Sequence, residues 1–418
     1  MSYPAQSERP DLSAIMNEEI ASVKATVKSG ERVLCALSGG VDSAVVASML
    51  HRAIGDRLVC VFVDHGGMRL GEADEIRQRF SAQFGPSFIA VDAGAEYLKD
   101  VRGVTDSEVL RKIIGQKFID VFKQAVGKFD NIKYFAQGTI LTDLNESGAD
   151  GKKHIKTHHN VGIDEFVKEK GWALVEPLKR LRKQDVRTVG SWLDIPDAHL
   201  NRQPFPGPGN YLRVIGGDIT AQDLKMVAQF DATVRKHIDA ANLPDAKQYF
   251  GAMVKNARYA ADAPEYIPQA RKIVKSVTSA ASYFWNDIKI TPGIKVTGIR
   301  NNERAEEPIM IINNNIIQIG NVNARLAPDR ALYEIQREIS DRICAELPVG
   351  RVMYAWDMPA DYSDYNFIVR SVDTINFDEA VPTYLGTNRQ IKLMCEYGRN
   401  RTILFDMTRK PSATIEYR

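Results

Sequence analysis

Short apolar segments alternate with helix-like segments through the first half of the chain. Apolar runs typical of buried strands occur at 32–37, 57–64, 87–93, 134–140 and 172–178. Segments with helical spacing lie between them, at 42–55, 71–85 and 107–129. This alternation predicts an α/β fold, a doubly wound parallel sheet covered by helices. Ligands of such sheets bind at the carboxyl ends of the strands.

The composition is that of a packed globular protein. Apolar residues make up 44% and charged residues 26% of the 418 residues, and the length is enough for two or three domains. The 55 basic and 53 acidic residues leave a formal charge of +2, which disfavours a nucleic acid as the partner. The polar N-terminus, together with the absence of an apolar run of about 20 residues, predicts a cytoplasmic protein that does not bind a membrane.

The segment SGGVDS, Ser38–Ser43, joins the first predicted strand to the first predicted helix. Glycines allow backbone N–H groups to approach a ligand closely, and the N-terminus of the next helix favours an anion. A turn with a helix cap is the simpler interpretation, because Ser and Asp are common N-cap residues. The run matches neither the Walker pattern nor GxGxxG. Two serines, two glycines and one aspartate suit a pyrophosphate, with Asp42 available to hold Mg²⁺.

An ordered series of motifs resembles those of one family. SGGVDS resembles the PP-loop of the ATP pyrophosphatase superfamily, and further segments resemble motifs of the GMP synthetases. These segments are FVDHGGMR (62–69), RKIIGQKFIDVF (111–122), AQGTILTDLNES (136–147), HIKTHHNVG (154–162), LVEPLKRLRKQDVRTVGSWLDIP (174–196) and RQPFPGPGNYLRVIG (202–216). The final TRKPSATIEYR is similar to the last residues of that family. The resemblance covers the chain from about residue 30 to its end.

This resemblance implies a PP-loop domain of the adenine nucleotide alpha hydrolase type, followed by an α+β dimerisation domain. The implied boundaries are 1–30 for an N-terminal helical extension, 31–203 for the PP-loop domain with a lid at about 140–170, and 204–418 for a C-terminal domain with an insertion. The implied reaction starts with adenylation of the C2 carbonyl oxygen of XMP by MgATP, which releases pyrophosphate. Ammonia then displaces AMP and gives GMP. The implied assembly is a homodimer.

The resemblance also implies which residues form the site. Asp42, Lys156 and Asp143 are expected to be catalytic, and Asp42 is also the expected metal ligand. The residues expected to bind ATP are Ser38, Gly39, Gly40, Val41, Asp42, Ser43, Asp64, Gln137, Gly138 and Thr139. The residues expected to bind the acceptor nucleotide are Gln203, Arg213, Arg304, Lys410, Thr414 and Glu416. Glu146 is expected to position the lid or the metal.

Lys156, His158 and His159 form a cationic cluster within the predicted lid. A solvated loop is the simpler interpretation of such a charged segment. Adjacent histidines on an extended segment point in opposite directions, so a single metal ion does not readily bind both. The resemblance implies instead that Lys156 reaches the ATP phosphates when the lid closes.

The sequence departs from the family pattern in several places. Only about 30 residues precede the first predicted strand, so nitrogen is expected from a separate glutaminase subunit, from free ammonia, or not at all. His65 and Ile163 replace the usual Asn and Gly, and Asn301-Asn302 replaces a usual Gly-Asp. The C-terminal domain departs further than the PP-loop domain, so the changes cluster on the acceptor side, whereas the ATP side is largely retained.

Three functions are compatible with this pattern. The first is a GMP synthetase that uses XMP and ammonia. The second is a paralogue that adenylates another purine nucleotide or uses another nucleophile, for example sulfur from a donor partner, transferred to GMP to give a 6-thiopurine. The third is a nucleotide-binding regulator without catalysis, which the intact Asp42 and Lys156 disfavour.

Overall fold

A computed structural model describes residues 11–141, 161–243, 245–255, 266–278, 288–300, 303–313, 317–319, 322–324, 330–355, 365–374, 380–383 and 403–409. These residues divide into two compact units. Unit 1 contains the described residues of 1–66, 71–97 and 114–202, and unit 2 contains those of 67–70, 98–113 and 203–418. Within these ranges, no helix is both long and apolar enough to cross a membrane.

Unit 1 is built on a five-stranded sheet in which every strand pair is parallel. Its strands are β1 (Arg32–Leu37), β2 (Leu58–Asp64), β3 (Phe88–Asp92), β4 (Ile132–Ala136) and β5 (Ala173–Val175). The order across the sheet is β3-β2-β1-β4-β5, so β1 is central. All seven residues of β2 are buried, as expected for a strand covered on both faces. The predicted α/β class with a parallel sheet is confirmed.

Helices precede, separate and follow the strands of unit 1 along the chain. They are α1 (Leu12–Thr26), α2 (Val41–Ile54), α3 (Glu72–Phe84), α6 (Val161–Lys170), α7 (Lys183–Trp192) and α8 (Asp197–Leu200). Two more, α4 (Gly94–Asp100) and α5 (Ser107–Val126), have residues in both units. Helix α1 begins where the Asp11 carboxylate accepts the Ala14 N–H at 3.0 Å, and it packs against α2 and α7. Helix α5 was predicted to reach residue 129 and ends at Val126.

The predicted strand at 134–140 was placed too late in the chain. The observed β4 starts at Ile132 and stops at Ala136. The N–H of Gln137 still donates to the carbonyl of Val175 at 3.0 Å, but the N–H of Leu141 donates outside the sheet. Gln137, Gly138 and Thr139 therefore lie in the loop after β4, and not within a strand as the apolar pattern indicated.

The predicted strand at 172–178 is shorter in the structure. The observed β5 ends at Val175. Pro177 has no N–H to continue the ladder, and it also restricts the backbone of Glu176. Strand β5 therefore reaches the carboxyl edge of the sheet at Val175, three residues before the predicted end at 178.

Unit 2 is built on a mixed sheet with the strand order β6-β7-β13-β15-β12-β9-β8, in which β14 pairs with β13. Its strands are β6 (Val214–Ile215), β7 (Gln248–Lys255), β8 (Ile288–Arg300), β9 (Glu303–Asn313), β12 (Arg351–Ala355), β13 (Tyr365–Thr374), β14 (Ala380–Pro382) and β15 (Ile403–Asp406). A separate antiparallel pair consists of β10 (Ile317–Ile319) and β11 (Val322–Ala324). The helices are α9 (Ala221–Ala241), α10 (Tyr266–Thr278) and α11 (Arg330–Glu346).

A buried ion cluster lies within the sheet of unit 2. The Asp406 carboxylate accepts hydrogen bonds from Arg351 at 2.9 Å and from Arg370 at 2.7 Å, and all three side chains are fully buried. Burial alone would raise the pKa of Asp406, but Arg370 and Arg351 lower it below its ordinary value. The carboxylate on β15 is therefore shared by one guanidinium from each of its two neighbouring strands, β12 and β13.

Candidate functional site

The candidate site lies at the carboxyl edge of the sheet in unit 1. Strands β2 and β3 lie on one side of β1, and β4 and β5 lie on the other. In parallel sheets of this kind, the crevice where the strand order reverses is the usual place for a ligand. The loops that follow β1, β4 and β5 border this crevice.

The loop after β1 folds back on itself through its two serines. The N–H of Gly40 donates to Ser38 Oγ at 3.2 Å, and Ser43 Oγ donates to the Gly40 carbonyl at 3.1 Å. The two hydroxyl oxygens lie 3.2 Å apart. Gly39 has a φ of +74°, a backbone conformation that residues with a Cβ rarely adopt. The sequence pattern SGGVDS therefore encodes a specific tight loop.

Helix α2 begins directly after this loop without a side-chain cap. Gly40 is its N-cap residue and has no side chain with which to cap the first turn. The first N–H groups of a helix have no intrahelical acceptor, so those of residues 41–43 are directed toward the loop. Together with the positive end of the helix dipole, they form a place that suits an anion.

Asp42 forms an ion pair with a residue that the sequence did not predict. Lys183 Nζ lies 2.7 Å from Oδ1 and 2.6 Å from Oδ2 of Asp42. Both side chains are partly exposed, 44% for Lys183 and 30% for Asp42. Lys183 is the first residue of α7. The available signal was its place within the family-like segment 174–196, but nothing in that segment indicates contact with Asp42.

Close packing of α7 against α2 determines where Lys183 lies. A methyl group on Gly190 would be 2.6 Å from Leu200 Cδ2 and 3.1 Å from Val45 Cγ2. The absence of a side chain at Gly190 thus allows α7 to approach α2 and α8 closely. This approach brings the first residue of α7 near the first turn of α2.

The loop after β4 closes one side of the site. A methyl group on Gly138 would lie 3.2 Å from Asp42 Cβ, so the backbones of the two loops nearly touch. Thr139 Oγ1 donates to Glu176 Oε1, which follows β5, at 2.6 Å. The predicted ATP residues Gly138 and Thr139 are therefore next to the SGGVDS loop, and Glu176 is an additional residue that the sequence did not predict.

His199 contacts the SGGVDS loop, and the sequence did not predict this contact. Its side chain is buried, with 5% exposure, and hydrogen bonds with the backbone of Gly40. Burial, followed by the charges of Arg202 and Arg79, lowers the pKa of His199 to about 4. The imidazole is therefore neutral at pH 7. A lone histidine on a four-residue helix gives no sequence signal that its side chain contacts the SGGVDS loop.

Asp64 ends β2, where it was expected, and its carboxylate is engaged within unit 1. Oδ1 accepts the N–H of Gly66 at 2.9 Å, and Oδ2 accepts a hydrogen bond from Arg77. Asp64 is only 8% exposed. In this arrangement the carboxylate shapes the loop after β2.

The predicted acceptor residues that are described belong to unit 2. The carbonyl of Gln203 accepts a hydrogen bond from Arg69 at 2.8 Å. Arg213 is 1% exposed, pairs with Asp231 at 3.1 Å, and lies 4.9 Å and 4.2 Å from the ring centroids of Phe205 and Phe250. Such a guanidinium packs the interior of the unit.

The structure does not describe the side chains of the following predicted residues. Arg304 is in β9, opposite Ile299. The predicted residues that lie outside the described part of the chain are Lys156, Asp143, Glu146, His158, His159, Lys410, Thr414 and Glu416.

The residues of the site fit one Mg²⁺ that is shared with phosphates. Among the described residues, no group of three or more His, Cys, Asp or Glu side chains could hold a metal ion. Mg²⁺ commonly binds through one or two carboxylates, with substrate phosphates and waters as its other ligands. Asp42, partly exposed in the loop, is a suitable single carboxylate.

Curated proteins similar to this chain are bacterial GMP synthases. The chain is 45% identical over 248 residues to the glutamine-hydrolyzing GMP synthase of Bacillus cytotoxicus, which is 59% of this chain and 48% of that protein. It is 46% identical over 237 residues to the enzyme of the same name from Geobacillus kaustophilus, 56% of this chain and 46% of that protein. The resemblance inferred from the motifs is thus confirmed, and the chain is a homologue of the GMP synthases over more than half of its length. It spans about half the length of the relatives it matches.

Other comparisons add little to this result. No protein-family model matches the chain. An NMN synthetase from Francisella tularensis matches 52% of this chain and 85% of its own, with a TM-score of 0.36 and 14% identity. An ammonia-dependent NAD synthetase from Campylobacter jejuni matches 46% of this chain and 76% of its own, with a TM-score of 0.35 and 14% identity. These TM-scores are too low to support a structural argument, so the fold of unit 1 is described from its own strand order.

Proposed function

We propose that the chain is an ATP pyrophosphatase that adenylates the C2 carbonyl oxygen of XMP and forms GMP when ammonia displaces AMP. The observation that supports this most directly is the uncapped first turn of α2, which follows the SGGVDS loop at the carboxyl edge of β1. The homology with GMP synthases supports the type of reaction, a C–N bond formation driven by ATP.

The SGGVDS loop is proposed to bind the two phosphates that leave as pyrophosphate. The backbone N–H groups of residues 41–43 and the hydroxyls of Ser38 and Ser43 are the donors for their oxygens. Gly138 and Thr139 limit the same space from the β4 side. Adenylation converts a carbonyl oxygen into a good leaving group, and it needs charge neutralisation on the phosphates.

Asp42 is proposed to hold Mg²⁺ in this site. When bound, the ion supplies positive charge to the phosphate oxygens. The proposal for Lys156 and Asp143, which lie outside the described residues, is that they complete the phosphate site from the lid.

The acceptor nucleotide is proposed to bind through Lys410, Thr414 and Glu416 near the C-terminus. Arg213 is proposed to support this region by packing between Phe205 and Phe250, since its side chain is buried there. A homodimer is the proposed assembly. The ammonia is proposed to come from solution or from a glutaminase, because the related enzymes are named as glutamine-hydrolyzing.

The direct test is to measure AMP and pyrophosphate release by the purified chain with MgATP, XMP and ammonium. Formation of GMP in equal amount to AMP is expected. Replacement of XMP by GMP or IMP, or of ammonium by sulfide, tests the paralogue alternative in the same assay. AMP release with another nucleotide or nucleophile, but none with XMP and ammonium, would refute the proposed substrate pair.

A matched pair of variants ties the activity to this site. Asp42→Asn is expected to abolish pyrophosphate release, because it removes the carboxylate that holds Mg²⁺. Lys179→Gln changes an exposed lysine in the segment between β5 and α7 and is expected to leave the rate unchanged. Equal rates for Asp42→Asn and the wild type would place the chemistry elsewhere.

A further inference from the structure

We propose that Lys183 is an exchangeable counter-ion of this site. In the absence of ligand its ammonium neutralises Asp42, and when a metal-bound pyrophosphate occupies the site, the ammonium moves to a phosphate oxygen. The inference rests on the proposed function, since it assumes that the SGGVDS loop binds a phosphate ligand. It assigns a role to a residue outside the predicted set.

The contact itself supports this exchange. Lys183 Nζ lies within hydrogen-bond distance of both carboxylate oxygens of Asp42, at 2.7 and 2.6 Å. A divalent cation needs at least one of these oxygens and repels an ammonium on the same carboxylate. The metal and Lys183 therefore compete for Asp42.

The position of Lys183 provides an alternative partner for its ammonium. It is the first residue of α7, is 44% exposed, and carries its ammonium on a flexible four-carbon chain. Asp42 is in the first turn of α2, so this ion pair holds the ammonium at the same helix turn whose N–H groups are proposed to bind the phosphate. A phosphate held there would be within reach of a small rotation of the Lys183 side chain.

A role in stability alone is a weak explanation for this pair. Ion pairs between partly exposed side chains contribute little to folding. The charge balance of the loop is a stronger reason, because an unneutralised Asp42 would repel the incoming phosphate charge. Lys183 offsets that repulsion before the metal arrives and adds a positive charge to the site afterwards.

The test uses inorganic pyrophosphate and Mn²⁺ as probes, with no need for turnover. Lys183→Gln is expected to weaken the binding of pyrophosphate in excess Mg²⁺ by about tenfold or more, the effect of losing one charge-assisted hydrogen bond. The same variant is expected to bind Mn²⁺ alone several-fold more tightly, because the Asp42 carboxylate is no longer paired with an ammonium. Calorimetry measures the pyrophosphate affinity, and electron paramagnetic resonance measures the Mn²⁺ affinity. Lys183→Arg retains the charge and is expected to keep most of the pyrophosphate affinity.

Two comparisons separate the possible failures. Lys179→Gln is the matched control, and its affinity for both probes is expected to equal that of the wild type. If wild type binds pyrophosphate and Lys183→Gln binds it equally well, the exchange is refuted while the phosphate site stands. If Lys183→Gln loses affinity for both probes, Lys183 only maintains the local structure and the exchange is likewise refuted. If wild type binds no pyrophosphate, the proposed function fails, and this inference fails with it.

Discussion

The backbone of Gly138 lies so close to Asp42 that a methyl group on it would be 3.2 Å from Asp42 Cβ. Gly138→Ala is therefore expected to push the loop after β4 away from the SGGVDS loop by a few tenths of an ångström. Because small misplacements at a phosphate site are costly, we expect MgATP to bind about tenfold or more weakly, measured by calorimetry.

Gly115→Ala is the control for this substitution. Gly115 lies in α5, and a methyl group there meets no atom within 4 Å. It is expected to leave MgATP binding unchanged and to stabilise the protein by up to about 1 kcal/mol, since alanine favours helix. Equal MgATP affinity in both variants would show that the two loops adjust to each other without cost.

Gly190→Ala is expected to separate α7 from α2. The added methyl group would overlap Leu200 and press on Val45, and overpacking of this kind costs about 1–3 kcal/mol. The midpoint of urea unfolding should fall accordingly. Thr188→Ala, on the exposed side of the same helix, should change the free energy of unfolding by less than about 0.5 kcal/mol. An unchanged midpoint for Gly190→Ala would mean that Leu200 rotates away freely.

His199 is expected to make stability depend on pH. Its pKa is lowered to about 4 in the folded protein, while an unfolded histidine titrates near its ordinary value of 6.5. Between these values the unfolded chain binds the additional proton, so this contribution to stability is complete above pH 6.5 and is lost as the pH falls toward 4. At pH 5 the loss relative to pH 7.5 should be about 2 kcal/mol.

His199→Gln isolates this contribution from other titrating groups. The difference in unfolding free energy between pH 7.5 and pH 5, measured by urea denaturation, should be smaller in His199→Gln than in the wild type by the same ~2 kcal/mol. Identical pH dependence in the two proteins would show that the folded protein accepts the proton on His199 readily.

Asp406→Asn is expected to be among the most destabilising single changes in unit 2. It removes the carboxylate that the buried Arg351 and Arg370 share. Loss of one partner of a buried ion cluster costs about 3–5 kcal/mol, to be measured by urea denaturation. Glu346→Gln breaks an exposed pair with Arg342 and should cost only a few tenths, about 0.3–0.5 kcal/mol. Similar losses in the two variants would argue against a special role for the buried cluster.

The apolar runs and the helical spacing of the sequence predicted the first elements of unit 1 well. The boundaries of β1, α2, β2, α3 and β3 agree with the apolar and helical patterns to within about two residues. Strands β4 and β5 were misplaced because apolar residues continue past the point where the ladder ends, and the pattern does not show which hydrogen bonds continue.

The candidate site was predicted only in part. The SGGVDS loop was predicted because it follows a strand, whereas Gly138 and Thr139 were predicted from the family resemblance; the structure places the two segments next to each other at one edge of the sheet. Lys183 and His199 were missed, since each depends on packing between helices that are far apart in sequence.

The sequence by itself determined the strand–loop–helix order, the SGGVDS loop and the homology with GMP synthases, because these depend on neighbouring residues. Only the tertiary structure decided which charges meet. Lys183 reaches Asp42 across 141 positions because Gly190 lets α7 approach α2. Arg213, predicted to contact a nucleotide, has its guanidinium over the rings of Phe205 and Phe250 and pairs with Asp231, contacts that the sequence did not indicate. The partner of a charged side chain depends on the packing of distant elements, which no local pattern records.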